Sequence, residues 1–302
     1  MRPNLDVSVL KSDSLLFLAA AIWGFAFVAQ RAGMQHVGPF VFNGIRFALG
    51  SLSLLPFIFI NRKRRRKAPL PTSKGMFAGS FLAGVVLFAA SSLQQVGIVY
   101  TTAGKAGFIT GLYVIIVPIF GLLWKQKVLP GTWFGAILAT LGLYLLSMHE
   151  TAAINVGDFL VFVGAFFWAG HVHVLGWLSP QMDSYKLSAI QYAVCAVLSL
   201  FTALFLEHFS FNEILAAAIP ILYGGIFSVG IAFTLQVVAQ RKAPPAHVVI
   251  LLSLEGVFAA LGGWLLLDEN LSLQAITGCI FILVGMIASQ IAVTRYRRFQ
   301  NG

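Results

Sequence analysis

Charged side chains are scarce in this chain. Asp, Glu, Lys and Arg make up 10% of its 302 residues, whereas soluble proteins average roughly 25%. This deficit excludes an ordinary soluble globular protein, because a water-exposed surface needs those charges. Hydrophobic residues make up 59% of the chain and its mean hydropathy is +0.88. The composition therefore indicates a membrane protein.

Cysteine is also rare. The only two, Cys195 and Cys279, fall inside apolar stretches, where a cysteine usually packs as a small apolar residue. They give no information about a redox compartment.

Long apolar stretches occupy most of the chain, and about 20 apolar residues are needed for a helix to cross a bilayer. Little sequence remains between the stretches for a soluble domain. We therefore predict an all-α membrane protein with ten transmembrane helices. Their approximate ranges are 12–31, 38–60, 76–97, 105–124, 131–148, 157–177, 187–206, 214–238, 245–267 and 272–293.

The net charge of +10 does not indicate a nucleic-acid partner, because the basic residues cluster in loops on one side of the predicted helices. If the N-terminus is cytoplasmic, all of the 20 basic residues except Arg31, Arg46 and Lys105 belong to the cytoplasmic side. The largest group is the block 62–67. The positive-inside rule then predicts that both termini are cytoplasmic.

The chain contains an internal repeat. The segment from Asp13 to Trp23 resembles the segment from Asp158 to Trp168, at an offset of 145. Further matches follow in the same order, at offsets of 145, 142 and 143: residues 45–48 with 190–193, 93–94 with 235–236, Gly135 with Gly278, and Gly142 with Gly285. We therefore predict two repeats, 1–150 and 151–302, of five spans each.

An odd number of spans in each repeat makes the second repeat enter the membrane from the opposite side. Inverted repeats of this kind recur in secondary transporters, where the substrate site lies near the midplane between the halves. The prediction is an alternating-access transporter.

Three segments carry a family resemblance: WGFAFVAQ at 23–30, GPFVFNGIRFALGS at 38–51 and LLSLEGVFAALGGWLLLDENLSLQAITGCIFILVGM at 251–286. With the ten spans and the repeat, they resemble the drug/metabolite transporter superfamily, EamA family. The resemblance implies a multi-pass protein of the bacterial inner membrane. It also implies movement of amino acids, metabolites or other small solutes, often outward, so we expect an exporter of amino acids or related amphipathic solutes.

Two ionisable residues lie within the predicted spans, where such groups are costly and often functional. Arg46 is about eight residues from the outer end of its span, which is about 12 Å deep. It either extends to the interface or faces a water-filled cavity that attracts an anionic group. Glu255, near the middle of span nine, either pairs with Arg46, carries a coupling proton or binds a substrate amine.

Other polar and aromatic residues are candidates for the solute site. Trp23 and Trp168 lie at matching depths and are either cavity walls or ordinary packing residues. Gln94 and Gln236 are predicted near opposite mouths, as gates or as interhelical hydrogen-bonding groups. Tyr113 aligns with Glu255 and offers a hydroxyl.

The spacing of His171 and His173 argues against a shared metal ion, because residues two apart on a helix point about 200° from each other. One of them is expected to face the cavity. The substrate-binding candidates are Trp23, Arg46, Gln94, Tyr113, Trp168, His171, Gln236 and Glu255.

The rival functions are a membrane-embedded enzyme acting on a lipid and a channel. The chain shows no HExxH, GxSxG or paired-carboxylate motif, so we expect no enzyme and no cofactor or metal. The expected partners are a small solute, membrane lipid and a coupling proton, with the oligomeric state left open.

Overall fold

The computed structural model describes residues 7–64, 74–101, 103–126, 128–147, 155–266 and 272–301. Part of the basic block at 62–67 and residues 267–271 of the third family segment lie outside these ranges. Within them the regular structure is helical, with no strand, which confirms the all-α prediction. The elements are α1 Val7–Gly33, α2 Pro39–Ser53, α3 Leu55–Arg64, α4 Lys74–Tyr100, α5 Ala103–Gly111, α6 Tyr113–Leu123, α7 Pro130–Ser147, α8 Val156–Leu178, α9 Ser184–Leu206, α10 Phe211–Ala216, α11 Ala218–Leu222, the π-helical segment Tyr223–Phe233, α12 Thr234–Ala239, α13 Pro245–Leu252, α14 Leu254–Leu266 and α15 Leu273–Asn301.

Eight helical stretches in the described part of the chain are long and apolar enough to cross a membrane. Two shorter apolar stretches, Pro130–Leu146 and Pro245–Leu261, correspond to predicted spans five and nine. Large apolar side chains cover the outside of the bundle, a surface that suits lipid and not water. The most exposed include Ile219, Leu273, Phe211, Leu123 and Phe205.

Polar side chains fix where several helices begin. Asn155 and Asp158 form reciprocal side-chain-to-backbone bonds at the start of α8, and Asp183 accepts two backbone N–H bonds at the start of α9. The carboxylate of Glu207, at the end of α9, accepts the N–H groups of Phe40 and Val41, both at 2.8 Å. These contacts satisfy N–H groups that a helix leaves unpaired in its first turn.

Glycines bring α7 and α15 into backbone contact. A Cβ at Gly135 would lie 2.5 Å from the carbonyl oxygen of Gly285, and one at Gly142 would lie 2.5 Å from that of Gly278. Only glycine permits this approach. Because the numbering rises on one helix as it falls on the other, the two helices run antiparallel.

Two predicted spans are interrupted near their middle. The fourth breaks at Leu112, between α5 and α6, and the ninth breaks at Ser253, between α13 and α14. Tyr113 and Glu255 therefore lie in the first turn of the second helix of each pair. Interrupted helices of this kind build solute sites in transporters, because they place polar groups and helix ends at mid-depth.

The two halves of the chain are joined at polar contacts near the helix starts. The Nε2 atom of His247, in α13, lies 3.0 Å from Oδ1 of Asp13 in α1. The Nζ atom of Lys105, in α5, lies 3.0 Å from Oδ2 of Asp158 in α8. Each contact joins the first span of one half to the fourth span of the other, and the largest apolar core cluster includes residues of α1, α8 and α13.

Candidate functional site

A cavity lies between helices of the two halves. It contains about 550 Å³ of space free of protein atoms, counting the part open to solvent. Its walls combine aromatic rings with a few polar groups, as is usual for small-molecule sites. The lining residues are Trp23, Ala26, Phe27, Gln30, Arg46, Gln94, Thr110, Tyr113, Trp168, Val172, Ser228, Phe233, Gln236, Leu252 and Glu255.

Three aromatic rings from both halves form one wall of the cavity. The ring of Phe233 stacks on that of Trp168, with centroids 5.7 Å apart and an angle of 16°, and meets the ring of Trp23 at 4.6 Å and 62°. The indole Nε1 of Trp23 donates to the carbonyl oxygen of Ser228 at 3.2 Å. Phe233 and Ser228 belong to the π-helical segment, a geometry often found at functional sites. The wall offers flat apolar faces to a solute.

A chain of hydrogen bonds lines the neighbouring wall. Oε1 of Gln94 accepts from Nε1 of Trp168 at 2.8 Å and from the Thr110 hydroxyl at 3.5 Å. Nε2 of Gln94 donates to Oε1 of Gln30 at 3.3 Å. These bonds hold the Trp168 ring in place, because a buried indole N–H needs an acceptor.

Arg46 lies inside the bundle, with 3% of its surface exposed. Its Nε donates to Oδ1 of Asn43 at 2.9 Å, and its guanidinium carbon lies 5.5 Å and 4.9 Å from the ring centres of Phe42 and Phe47. A guanidinium carries five N–H donors, and within the described ranges only Nε has a protein acceptor. The remaining donors are available to an anionic group in the cavity.

Glu255 brings a carboxylate to the same cavity with 6% of its surface exposed. No described residue forms a hydrogen bond with its side chain, and no ion pair joins it to Arg46 in the described part of the chain. The first turn of α14 suits an anion, because the helix dipole is positive there. Buried carboxylates without a protein partner are costly, so Glu255 is suited to bind a proton or a cationic group.

Seven of the eight sequence candidates line the cavity: Trp23, Arg46, Gln94, Tyr113, Trp168, Gln236 and Glu255. Gln94 and Gln236, expected near opposite mouths, lie on the same cavity. His171 is absent from the lining and its Nε2 lies 2.8 Å from Oε1 of Gln191. His173, the other histidine considered, bonds the carbonyl oxygen of Val117 at 2.9 Å.

Sequence reasoning missed several lining residues. Gln30 and Thr110 are polar residues within predicted spans, so the rule that selected Gln94 could have found them. Ser228 contributes through its carbonyl oxygen, and Phe233 is one of 27 phenylalanines, so the sequence gives no signal for either. In the ranges that the structure describes, no group of three or more His, Cys, Asp or Glu side chains could hold a metal ion.

Comparison with known proteins gives consistent results. The model of the EamA-like transporter family matches residues 10–148 and 155–289. An uncharacterized transporter of Archaeoglobus fulgidus is 30% identical over 293 residues, covering 95% of this chain and 88% of that protein. The uncharacterized transporter YoaV of Bacillus subtilis is 25% identical, covering 91% of this chain and 94% of its own.

A crystal structure of another protein is 17% identical and superposes with a TM-score of 0.76. The match covers 94% of this chain and 98% of that one. The two chains share a fold.

Proposed function

Because this chain belongs to the EamA-like transporter family, we propose that it is a secondary transporter of a small amphipathic metabolite. The solute is an amino acid or a related compound, and it crosses the bacterial inner membrane by alternating access. The direction is outward, as the family resemblance implies. Both termini are cytoplasmic, as the distribution of basic residues indicates.

The observation that carries the proposal is that the cavity is built from equivalent residues of both halves. Five pairs of lining residues are related by the offsets of 145 or 142 that relate the repeats. The pairs are Trp23 with Trp168, Phe27 with Val172, Gln94 with Gln236, Thr110 with Leu252, and Tyr113 with Glu255. A site shared in this way supports two five-span repeats, 1–150 and 151–302, that move relative to each other around a central solute.

Two further contacts support a two-fold relation between the repeats. Asp13 and Asp158 are equivalent at an offset of 145, and their partners Lys105 and His247 are equivalent at an offset of 142. Each acidic residue contacts the basic residue of the other half. A two-fold axis in the membrane plane would produce this exchange.

The packing of the last span of each half agrees with this arrangement. The equivalent helices α7 and α15 run antiparallel, and their matching glycines face each other in crossed pairs. Opposite threading of the two halves requires antiparallel equivalents, and it supports ten spans in total.

The chemistry of the cavity supports a zwitterionic amphipathic solute. The free donors of Arg46 suit a carboxylate, since guanidinium groups bind carboxylates with directed, charge-assisted bonds. Glu255 suits an amine or a coupling proton. The rings of Trp23, Trp168 and Phe233 suit the apolar part of such a molecule.

Reconstitution tests the proposal. The purified protein in proteoliposomes is screened with labelled amino acids, with and without a pH gradient, against protein-free liposomes. We expect saturable flux of at least one amino acid, with the solute recovered unchanged. Chemical conversion of the solute or lipid would indicate an enzyme, and flux that does not saturate would indicate a channel.

A further inference from the structure

The two halves of the chain do not contribute equally to the cavity lining. The first half contributes three lining residues whose counterparts, at an offset of 145, do not line the cavity. The three are Ala26, Gln30 and Arg46, and their counterparts are His171, Leu175 and Gln191. Each counterpart has 0% of its surface exposed. The cavity thus extends toward the end of α1 and the start of α2, the predicted outer side, and stops short of the equivalent region of the second half.

The hidden region contains polar atoms without partners. His171 and Gln191 bond to each other through Nε2 and Oε1. Among the described residues, nothing forms a hydrogen bond with Nδ1 of His171 or with Nε2 of Gln191. A buried polar atom left unpaired costs about 1–3 kcal/mol, and most such atoms in native proteins have partners. Partners for the two atoms in another state would recover that cost there.

Phe233, which lines the cavity, packs against His171 of this pair. Its ring centre lies 6.4 Å from that of His171, at an angle of 83°. The same ring also contacts the rings of Trp23, Trp168, Phe47 and Tyr192. The equivalent residue of the first half, at an offset of 142, is Ser91. Serine is too small to pack in the same way, and a displacement of Phe233 would open the His171 side of this pair to the cavity.

We propose that His171, Leu175 and Gln191 line a second crevice, which opens to the cytoplasmic side when the present cavity closes. In that state Nε2 of Gln191 donates to the carboxylate that Arg46 binds on the outer side, while Nδ1 of His171 accepts a hydrogen bond from the solute, because Nε2 carries the ring proton when it donates to Oε1 of Gln191. This second crevice thus offers the solute an amide donor and an imidazole acceptor in place of a guanidinium. This inference rests on the proposed alternating access of inverted halves.

Labelling of single cysteines tests the proposal without a known solute. In a background with Cys195→Ser and Cys279→Ser, the variants Leu175→Cys and Gln191→Cys are compared with Gln30→Cys. A charged, membrane-impermeant methanethiosulfonate is added to sealed vesicles of each orientation. A fourth variant, Phe166→Cys, places the thiol on the exposed apolar surface of α8 and reports background reaction. Elution as a single detergent-solubilised species is required of each variant.

We expect Gln30→Cys to react from the outer side, and Leu175→Cys and Gln191→Cys to react from the cytoplasmic side. If the inward-open state is minor, its population of roughly 0.1–10% sets their rate relative to that of Gln30→Cys. Phe166→Cys stays at background from both sides. Two cysteine positions are used because Gln191→Cys removes the partner of His171, whereas Leu175→Cys removes no hydrogen bond.

The outcomes separate this inference from the function on which it rests. Reaction at Gln30 from outside, with no reaction at 175 or 191 from the cytoplasmic side, overturns the second crevice and leaves the transporter proposal intact. Failure of every variant to react, Gln30→Cys included, overturns both, because no aqueous crevice then exists.

Discussion

Replacement of Arg46 by glutamine tests the role of the buried guanidinium. Glutamine is the residue at the equivalent position of the second half, Gln191, so the fold accommodates it there. Its amide can still donate to Oδ1 of Asn43. No described carboxylate pairs with Arg46, so the change leaves no buried anion unpaired. We therefore expect Arg46→Gln to fold.

The size of the effect on solute binding follows from the lost charge. Hydrogen bonds to charged groups contribute about 1.5–3 kcal/mol each. The loss of one such bond between Arg46 and a carboxylate raises the KM roughly 10- to 150-fold. Arg46→Lys, the matched control, keeps the charge but loses the planar fork, so its KM should fall between those of Arg46→Gln and the unaltered protein.

The assay is initial-rate flux of a labelled amino acid found in the reconstitution screen, with the variants at equal protein density. Thermal denaturation in detergent verifies the fold. If Arg46→Gln is folded and its KM is unchanged, the guanidinium does not contact the solute and our reasoning about the cavity is refuted.

Three further predictions concern other residues of the site and scaffold. Glu255→Gln should have a free energy of unfolding within about 1 kcal/mol of that of the unaltered protein, because no described residue bonds its carboxylate, and it should lose solute flux. Unfolding of the variant would indicate a structural partner instead. Trp168→Phe should lower the free energy of unfolding by at least about 1 kcal/mol, since it removes the bond to Gln94 and replaces the indole with a smaller aromatic ring. Equal stability in denaturant titration would show that this bond contributes nothing. Gly142→Leu should destabilise by at least about 1–3 kcal/mol through overpacking against Gly278, and an unchanged melting temperature would contradict the close contact of α7 with α15.

Much of the fold was predictable because hydrophobic runs report membrane helices directly. The apolar stretches of the sequence coincide with helices of the structure. The breaks at Leu112 and Ser253 were not predictable from hydropathy, since both lie within continuous apolar runs. The π-helical segment Tyr223–Phe233 was also invisible, because its residues are as apolar as those of an ordinary spanning helix.

The site was predictable where a polar or aromatic side chain stands out in an apolar span, as Trp23 and Arg46 do. Gln94 and Gln236 line the same cavity, and their placement near opposite mouths stays a prediction. The interior position of His171 depends on its hydrogen-bond partner Gln191 and on the neighbouring ring of Phe233. Those are tertiary contacts, and no local pattern encodes them.

The central claim is that the two halves expose one solute site to each side of the membrane in turn. Solute counterflow measures this most directly: proteoliposomes loaded with unlabelled solute are placed in a trace of the same solute carrying a label. Alternating access predicts transient accumulation of label above its external concentration, because internal solute returns the carrier to the outer face. Label that only equilibrates, with a rate independent of internal solute, would contradict the account.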